Sequence, residues 1–297
     1  MRRSPLIISF IAALLYISCT EEACNCSDPG NLQFYVSFRG EVPFTKAPVP
    51  FDQGVVVSVF GYRHKENPLV NPSWPGTPFV AISGSYGQLL PAAQEEFLVP
   101  GGVYDFYAIS ENSPVNDSPV IEKGLSAPLY NGKDYLYAKQ TGVTVKENLL
   151  VPLVFNHICA TIELIVSTEP PSLIHEISGV SMTPPKEGSS LLLSTGKITP
   201  ANNATEGFLP MEYVKEKAKM IILPTTDQLE IKIRIVLGKT KNSSGSYKEG
   251  IIPTPKGGYS SGKRYIYMIS LSYDNIRFTG SFIEDWKHEA LNNIEVK

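Results

Sequence analysis

The chain has 297 residues and a formal net charge of −3, a length that at about 150 residues per domain allows two domains, each large enough for its own core. No basic stripe runs along it, which argues against nucleic acid as a partner, and four cysteines in so long a chain are no disulfide scaffold. The 24 Pro, 23 Gly and 15 Tyr, set among many Val and Ile, favour short strands and punctuated turns over helices.

The chain opens on Met1-Arg2-Arg3 and runs apolar from Leu6 to Ile17, 12 residues that end at Ser18-Cys19. A charged start followed by an apolar run of this length fits a secretory signal, and it is shorter than the roughly 18 residues a membrane span needs. The stretch Leu15-Tyr16-Ile17-Ser18-Cys19 resembles a bacterial lipobox. That resemblance implies residues 1–18 as signal peptide, cleavage before Cys19 and lipid on its sulfur, because a thiolate is the nucleophile that accepts a diacylglyceryl group. Each buried lipid methylene contributes about 0.8 kcal/mol, so several chains would hold the protein on outer-membrane lipid. Glu21 and Glu22 resemble the acidic surface-export signal of Bacteroides-type lipoproteins, and residues 19–30 read as a lipidated tether. Cys24, Cys26 and Cys159 are an odd remainder. A bridge from Cys24 or Cys26 to Cys159 stays open, and Cys24-x-Cys26 lacks the further ligands a metal site needs.

Strand signals then dominate. Leu32, Phe34, Val36 and Phe38 share one face of a period-2 pattern, with Gln33 and Ser37 on the other. Val55–Tyr62, Phe79–Ser83, Val103–Ser110 and Tyr135–Ala138 follow. The Pro- and Gly-rich stretches before Phe79 and Val103 read as turns. A nearly continuous extended run, Val145–Val166, leads into Met220–Leu223, Leu229–Leu237, Tyr265–Leu271 and Arg277–Ile283. The one helical hint is Met211–Lys219, read as a short surface turn or helix. Strands at this spacing predict an all-β chain of two tandem β-sandwiches, residues 31–154 and 155–297. After Trp286 the tail carries Ile294 and Val296 in strand alternation, which suits a short donor strand or the last strand of its own sheet.

Catalytic patterns do not assemble, and the chain does not read as an enzyme. Gly258-Tyr259-Ser260-Ser261-Gly262 matches a nucleophile elbow, but that motif needs a helix after the serine, and a strand pattern follows here. His64, His157, His175 and His288 stand apart, without metal-ligand spacing, and read as surface or sheet residues. Glu284 and Asp285 are adjacent strand residues, so they point to opposite faces. No cofactor and no metal are expected.

Several stretches, in order, resemble the fimbrillin family of type V pilus subunits: Thr45-Lys46 with VVVSVFGY, PGGVYDFYAIS from Pro100, DYLYAKQTGV from Asp134, VPLVFNHICATIELIV from Val151, IILPTTDQLEIKIRI from Ile221 and SGKRYIYMISLSYDNIRFTGSFIEDW from Ser261. The resemblance implies two transthyretin-like β-sandwiches in a lipid-anchored precursor that reaches the cell surface as part of a fimbrium. It also implies assembly with other pilus subunits by β-strand exchange, once a protease has removed the N-terminal strand after a basic residue. Strand addition of this kind draws attraction from main-chain hydrogen bonds and selectivity from alternate side-chain pockets. Between Cys19 and Arg63 the only arginine is Arg39, at the end of the Leu32–Phe38 pattern; it is the expected cut, or else a solvated strand-end charge. A host or bacterial surface ligand is a further expected partner. The competing reading is a surface glycan-binding lipoprotein that uses Trp74, Tyr86 or Tyr259 as stacking platforms.

Overall fold

The computed structural model describes residues 29–38, 49–93, 96–169, 173–199, 201, 207–237 and 245–287. Over these residues the chain is all-β, as expected, and the one helical piece among them is a single 3-10 turn at Ser85–Gly87. No helix among them is long and apolar enough to cross a membrane. The Leu6–Ile17 run, Cys19, Cys24, Cys26, Arg39, Ile294 and Val296 lie outside the described residues.

In the first half the strands follow one path: Val49–Pro50, Gly30–Phe38, Leu149–His157, Leu136–Val145, Gly102–Ser110, Val56–Arg63, Trp74–Ser83, Leu89–Pro91. Leu149–His157 meets Leu136–Val145 only at Leu136↔His157 and Tyr137↔Asn156, so the path turns a corner there. The two flanks then face each other. Leu32, Phe34, Val36, Val151 and Leu153 from one flank share a core with Val57, Val59, Phe106 and Ala108 from the other. Period-2 alternation supplies both inward faces, since successive strand side chains point opposite ways.

The second half repeats the plan. Ala160–Thr168 lies between Lys217–Ile222, antiparallel, and Lys263–Leu271, parallel. Glu212–Val214 and Ile276–Asp285 form the outer strands of that sheet. A facing sheet runs Leu209–Pro210, Ile174–Met182, Glu230–Leu237, Gly245–Ile251, and Ile162, Leu164, Ile231 and Ile233 meet in the core between them.

The halves are joined by more than a linker. Ile121–Glu122 and Leu125–Ser126 from the first pair with Ser190–Leu192 and Lys197–Thr199 from the second in one small sheet. Phe60, Tyr107, Ile109 and Tyr137 pack there against Leu191, Leu193 and Leu223. The Tyr137 hydroxyl donates to Leu193 O at 2.7 Å, and Leu223 N donates to Asn131 Oδ1 at 2.9 Å. Cys159 is fully buried in this junction, unbridged among the described residues, and burial pushes its ionisation upward.

Three expectations change. Met211–Lys219 is not a helix; a tight turn is present at Lys215 and Glu216, both at positive φ, but it joins the strands Glu212–Val214 and Lys217–Ile222 into a hairpin. Ala218, Met220 and Ile222 are buried on one face of its second strand, so period 2 overrides the helical propensity of the lysines. The strand containing Phe79–Ser83 begins earlier, at Trp74, because Gly61 pairs back to Trp74 across a bulge. Two strands without a clean alternation are present: Ile174–Met182, interrupted by two irregularities of register, and the polar edge strand Gly245–Ile251.

Candidate functional site

Gly30–Phe38 occupies an asymmetric seat. On one edge Leu32 to Phe38 pair in parallel with Leu149 to Phe155. On the other edge no single strand among the described residues runs its length. Phe97–Val99 pairs with Gly30–Leu32, Gln88 bridges to Tyr35, and Val49–Pro50 pairs with Ser37–Phe38. Ala160–Thr168, its counterpart in the second half, has long strands on both edges.

The seat is deep on its inner face. Leu32, Phe34, Val36 and Phe38 are all buried, while Gln33 is exposed. The Phe34 ring lies 5.5–5.8 Å from the rings of Phe79, Phe97 and Phe106, tilted or edge-on to each, the geometry aromatic quadrupoles favour. Gly87, at φ +82°, comes so close that an added Cβ would lie 2.1 Å from Val36 O.

At its far end the first strand enters an aromatic column. Phe51 stacks on Phe38 at 5.0 Å, Phe38 on His157 at 5.4 Å, and His157 on Trp286 at 4.1 Å, all within 15° of parallel. Asp134 Oδ1 accepts from His157 Nδ1 at 2.7 Å, and its Oδ2 accepts from Asn112 Nδ2 at 2.7 Å. Trp286 N donates to Gly262 O at 2.8 Å. The column therefore ties the end of the first strand to the root of the C-terminal tail. Of the two expectations for His157, surface or sheet, the second holds: it ends the strand Leu149–His157 and is buried.

The remaining candidates separate. Tyr259 is 1% exposed and sits edge-on to Tyr265, so it is no stacking platform; Tyr86 is 85% exposed and Trp74 37%. Ser260 and Ser261 lie in a turn that leads into the strand Lys263–Leu271. Asp285 pairs with Lys263, and Glu284 with Arg264, so these carboxylates are cross-strand ion partners. Burial works against ionisation of Asp105, but hydrogen bonds from His64, Gly142 and Lys65 outweigh it and hold the carboxyl below the usual range. A cavity of about 570 Å³ opens between Leu69–Ser73 and Ile121–Lys123 over Phe60 and Tyr62; its lining is mainly apolar. Among the described residues no three His, Cys, Asp or Glu side chains converge on a metal-sized site.

Of the seat, the face Leu32, Phe34, Val36, Phe38 was legible in sequence. Phe97, Gly87, His157 and Trp286 were not, since nothing in one sequence says which distant residues cover a strand.

Comparison with known proteins agrees with this architecture. Solved structures of two proteins assigned a cell-adhesion role are similar over most of the chain. The one from Bacteroides uniformis matches at TM-score 0.65 and 15% identity, covering 88% of this chain and 98% of that one. The one from Bacteroides ovatus matches at TM-score 0.63 and 15% identity, covering 88% and 99%. At such identity they speak to the fold. A sequence search of curated proteins finds no match. The model of the fimbrillin-like family matches residues 45–286, most of the sequence and nearly all of the described strands, and the chain belongs to that family.

Proposed function

We propose that this chain is a subunit of a surface pilus or adhesin fibre, exported as a lipoprotein and assembled by β-strand exchange, without catalytic activity. In this reading Cys19 carries the lipid that holds the precursor on the outer membrane, and a cut after Arg39 frees Gly30–Phe38. The two halves act as tandem transthyretin-like sandwiches. The break expected at residues 154–155 falls inside the strand Leu149–His157, and we propose it a few residues later, at Ile158–Cys159, before Ala160–Thr168. Ile294 and Val296 are the residues a donated tail strand would offer to another subunit.

The observation that carries the reading is the seat of the first strand. A segment held on one edge by three short pieces can be peeled from them piecewise. A centrally laced strand such as Ala160–Thr168 cannot. Arg39 directly follows Phe38, so a cut there severs the strand and leaves Val49–Pro50 with the body. Burial of Leu32, Phe34, Val36 and Phe38 stabilises by roughly 1.5–3 kcal/mol each, about 6–12 kcal/mol together. That is comparable to the whole stability of a domain. Departure without replacement would unfold the first half, so removal and replacement are coupled, and the vacated edge draws in a strand.

Exchange is tested on the whole chain treated with an arginine-specific protease and incubated with a labelled peptide of residues 30–38. The cut protein should take up the peptide; an Arg39→Ala chain should neither be cut at that point nor exchange. A cut chain that stays monomeric and refuses the peptide would sink the reading. Lipid attachment is tested separately, by feeding labelled palmitate to expressing cells. Incorporation should vanish in Cys19→Ser, and a label retained there would place any lipid elsewhere.

A further inference from the structure

The seat of the first strand also says which strand can replace it, granted the exchange reading above. We infer that the groove selects a replacement strand with a small residue followed by a bulky aliphatic, an aromatic, a branched aliphatic and an aromatic at alternate positions, and rejects residues 287–297 of its own chain.

The small residue and the two aromatics follow from the walls, and the two aliphatics from closed apolar positions between them. Gly30 is buried, and a Cβ there would meet Glu147 O at 2.6 Å, so the first position admits no side chain without movement. The Leu32 site is closed, at 2% exposure. The Phe34 site is a ring cage of Phe79, Phe97 and Phe106; any smaller side chain leaves a void among aromatics, and cavities in packed cores are costly. At Val36 the approach of Gly87 to the backbone holds the inserted strand low in the groove. The Phe38 site is a slot between two flat rings, Phe51 and His157, with Trp286 stacked behind, which selects a flat ring.

The tail of this same chain does not carry the pattern. Residues 287–297 read KHEALNNIEVK. The best alternate set, Ala290, Asn292, Ile294 and Val296, puts Asn292 in the ring cage and an aliphatic in the slot. Run in the opposite direction, it puts Asn292 in the Val36 site and Ala290 in the slot. The other register, Glu289, Leu291, Asn293 and Glu295, buries two carboxylates. An amide or carboxylate placed among phenyl rings without hydrogen-bond partners is strongly disfavoured. A second copy can offer residues 30–38, but the cut that opens the groove detaches that strand from its owner, so it joins nothing. A groove that rejects residues 287–297 is protected against being filled by that segment before a fitting strand arrives.

The test uses the protease-cut whole chain and three labelled peptides: residues 30–38, residues 287–297, and 287–297 carrying His288→Gly, Ala290→Leu, Asn292→Phe and Val296→Phe. Competition should rank the natural tail at least about 100-fold weaker than 30–38, the scale of two mis-filled core sites. The fourfold-substituted tail should return to within about tenfold. A natural tail that enters as tightly as 30–38 overturns the inference, as does a fourfold-substituted tail that still fails while 30–38 enters. If 30–38 itself is refused, the exchange reading and this inference fall together.

Discussion

Phe34→Ala should cost about 3–5 kcal/mol of stability, the range for truncating a fully buried phenylalanine, while the neighbouring Gln33→Ala should stay within about 0.5 kcal/mol. Phe34 has no exposed surface and touches three other rings, whereas Gln33 faces solvent on the same strand. Urea unfolding of the uncut chain reads both. The same variant should lose its first strand to an arginine-specific protease faster than the parent, because the ring that anchors the strand's middle is gone. Equal costs for the two substitutions would mean that the strand is held by its backbone pairing alone, and the side-chain selectivity argued above would have no basis.

The second large effect lies in the other half. Glu163 projects from the outer face of Ala160–Thr168 with its side chain 6% exposed, and Arg264, from the parallel neighbour, contacts its carboxylate directly. Lys217 is the more distant partner, at 3.8 Å. Arg264→Met removes the main counter-charge and leaves a buried carboxylate, which should cost about 3 kcal/mol. The lower end of the usual range applies because Lys217 remains. Pairing that change with Glu163→Leu should recover most of the loss, since a buried ion pair replaced by apolar groups of similar size is often neutral. Denaturant midpoints of the two single variants and the double variant close the cycle. A single variant within 0.5 kcal/mol of the parent would show that water or Lys217 already neutralises the carboxylate.

Both predictions concern parallel pairs, and the parallel pairing is what gives the molecule its two kinds of first strand. Gly30–Phe38 and Ala160–Thr168 each lie parallel to a strand near the end of their half. The second is then closed by an antiparallel strand, Lys217–Ile222; among the described residues the first has three short pieces across from it. The two strands thus differ in what covers one edge, not in any weakness of the buried face. The aromatic column adds a link from that edge to the tail root, because Phe38 and Trp286 occupy opposite faces of the same histidine.

Local alternation was enough to declare the class of this protein. Leu32-x-Phe34-x-Val36-x-Phe38 announces a strand with one buried face whatever surrounds it, because side chains alternate at a period of two. The same rule recovered Ala160–Thr168, Glu230–Leu237 and Lys263–Leu271, each an inner strand with an apolar face. It failed where a strand's surroundings set its character. Ile174–Met182 slips register twice and Gly245–Ile251 is a polar edge, so neither keeps a clean pattern. In Glu212–Ile222 the apolar alternation was present but masked by lysines on the outer face. Only the folded chain decided that Leu125–Ser126 would pair with Ser190–Leu192, that Tyr259 would be interior, and that Phe38, His157 and Trp286 would stack. Those are contacts between segments far apart in sequence, governed by packing and sheet order, and a single sequence read locally contains no term for either.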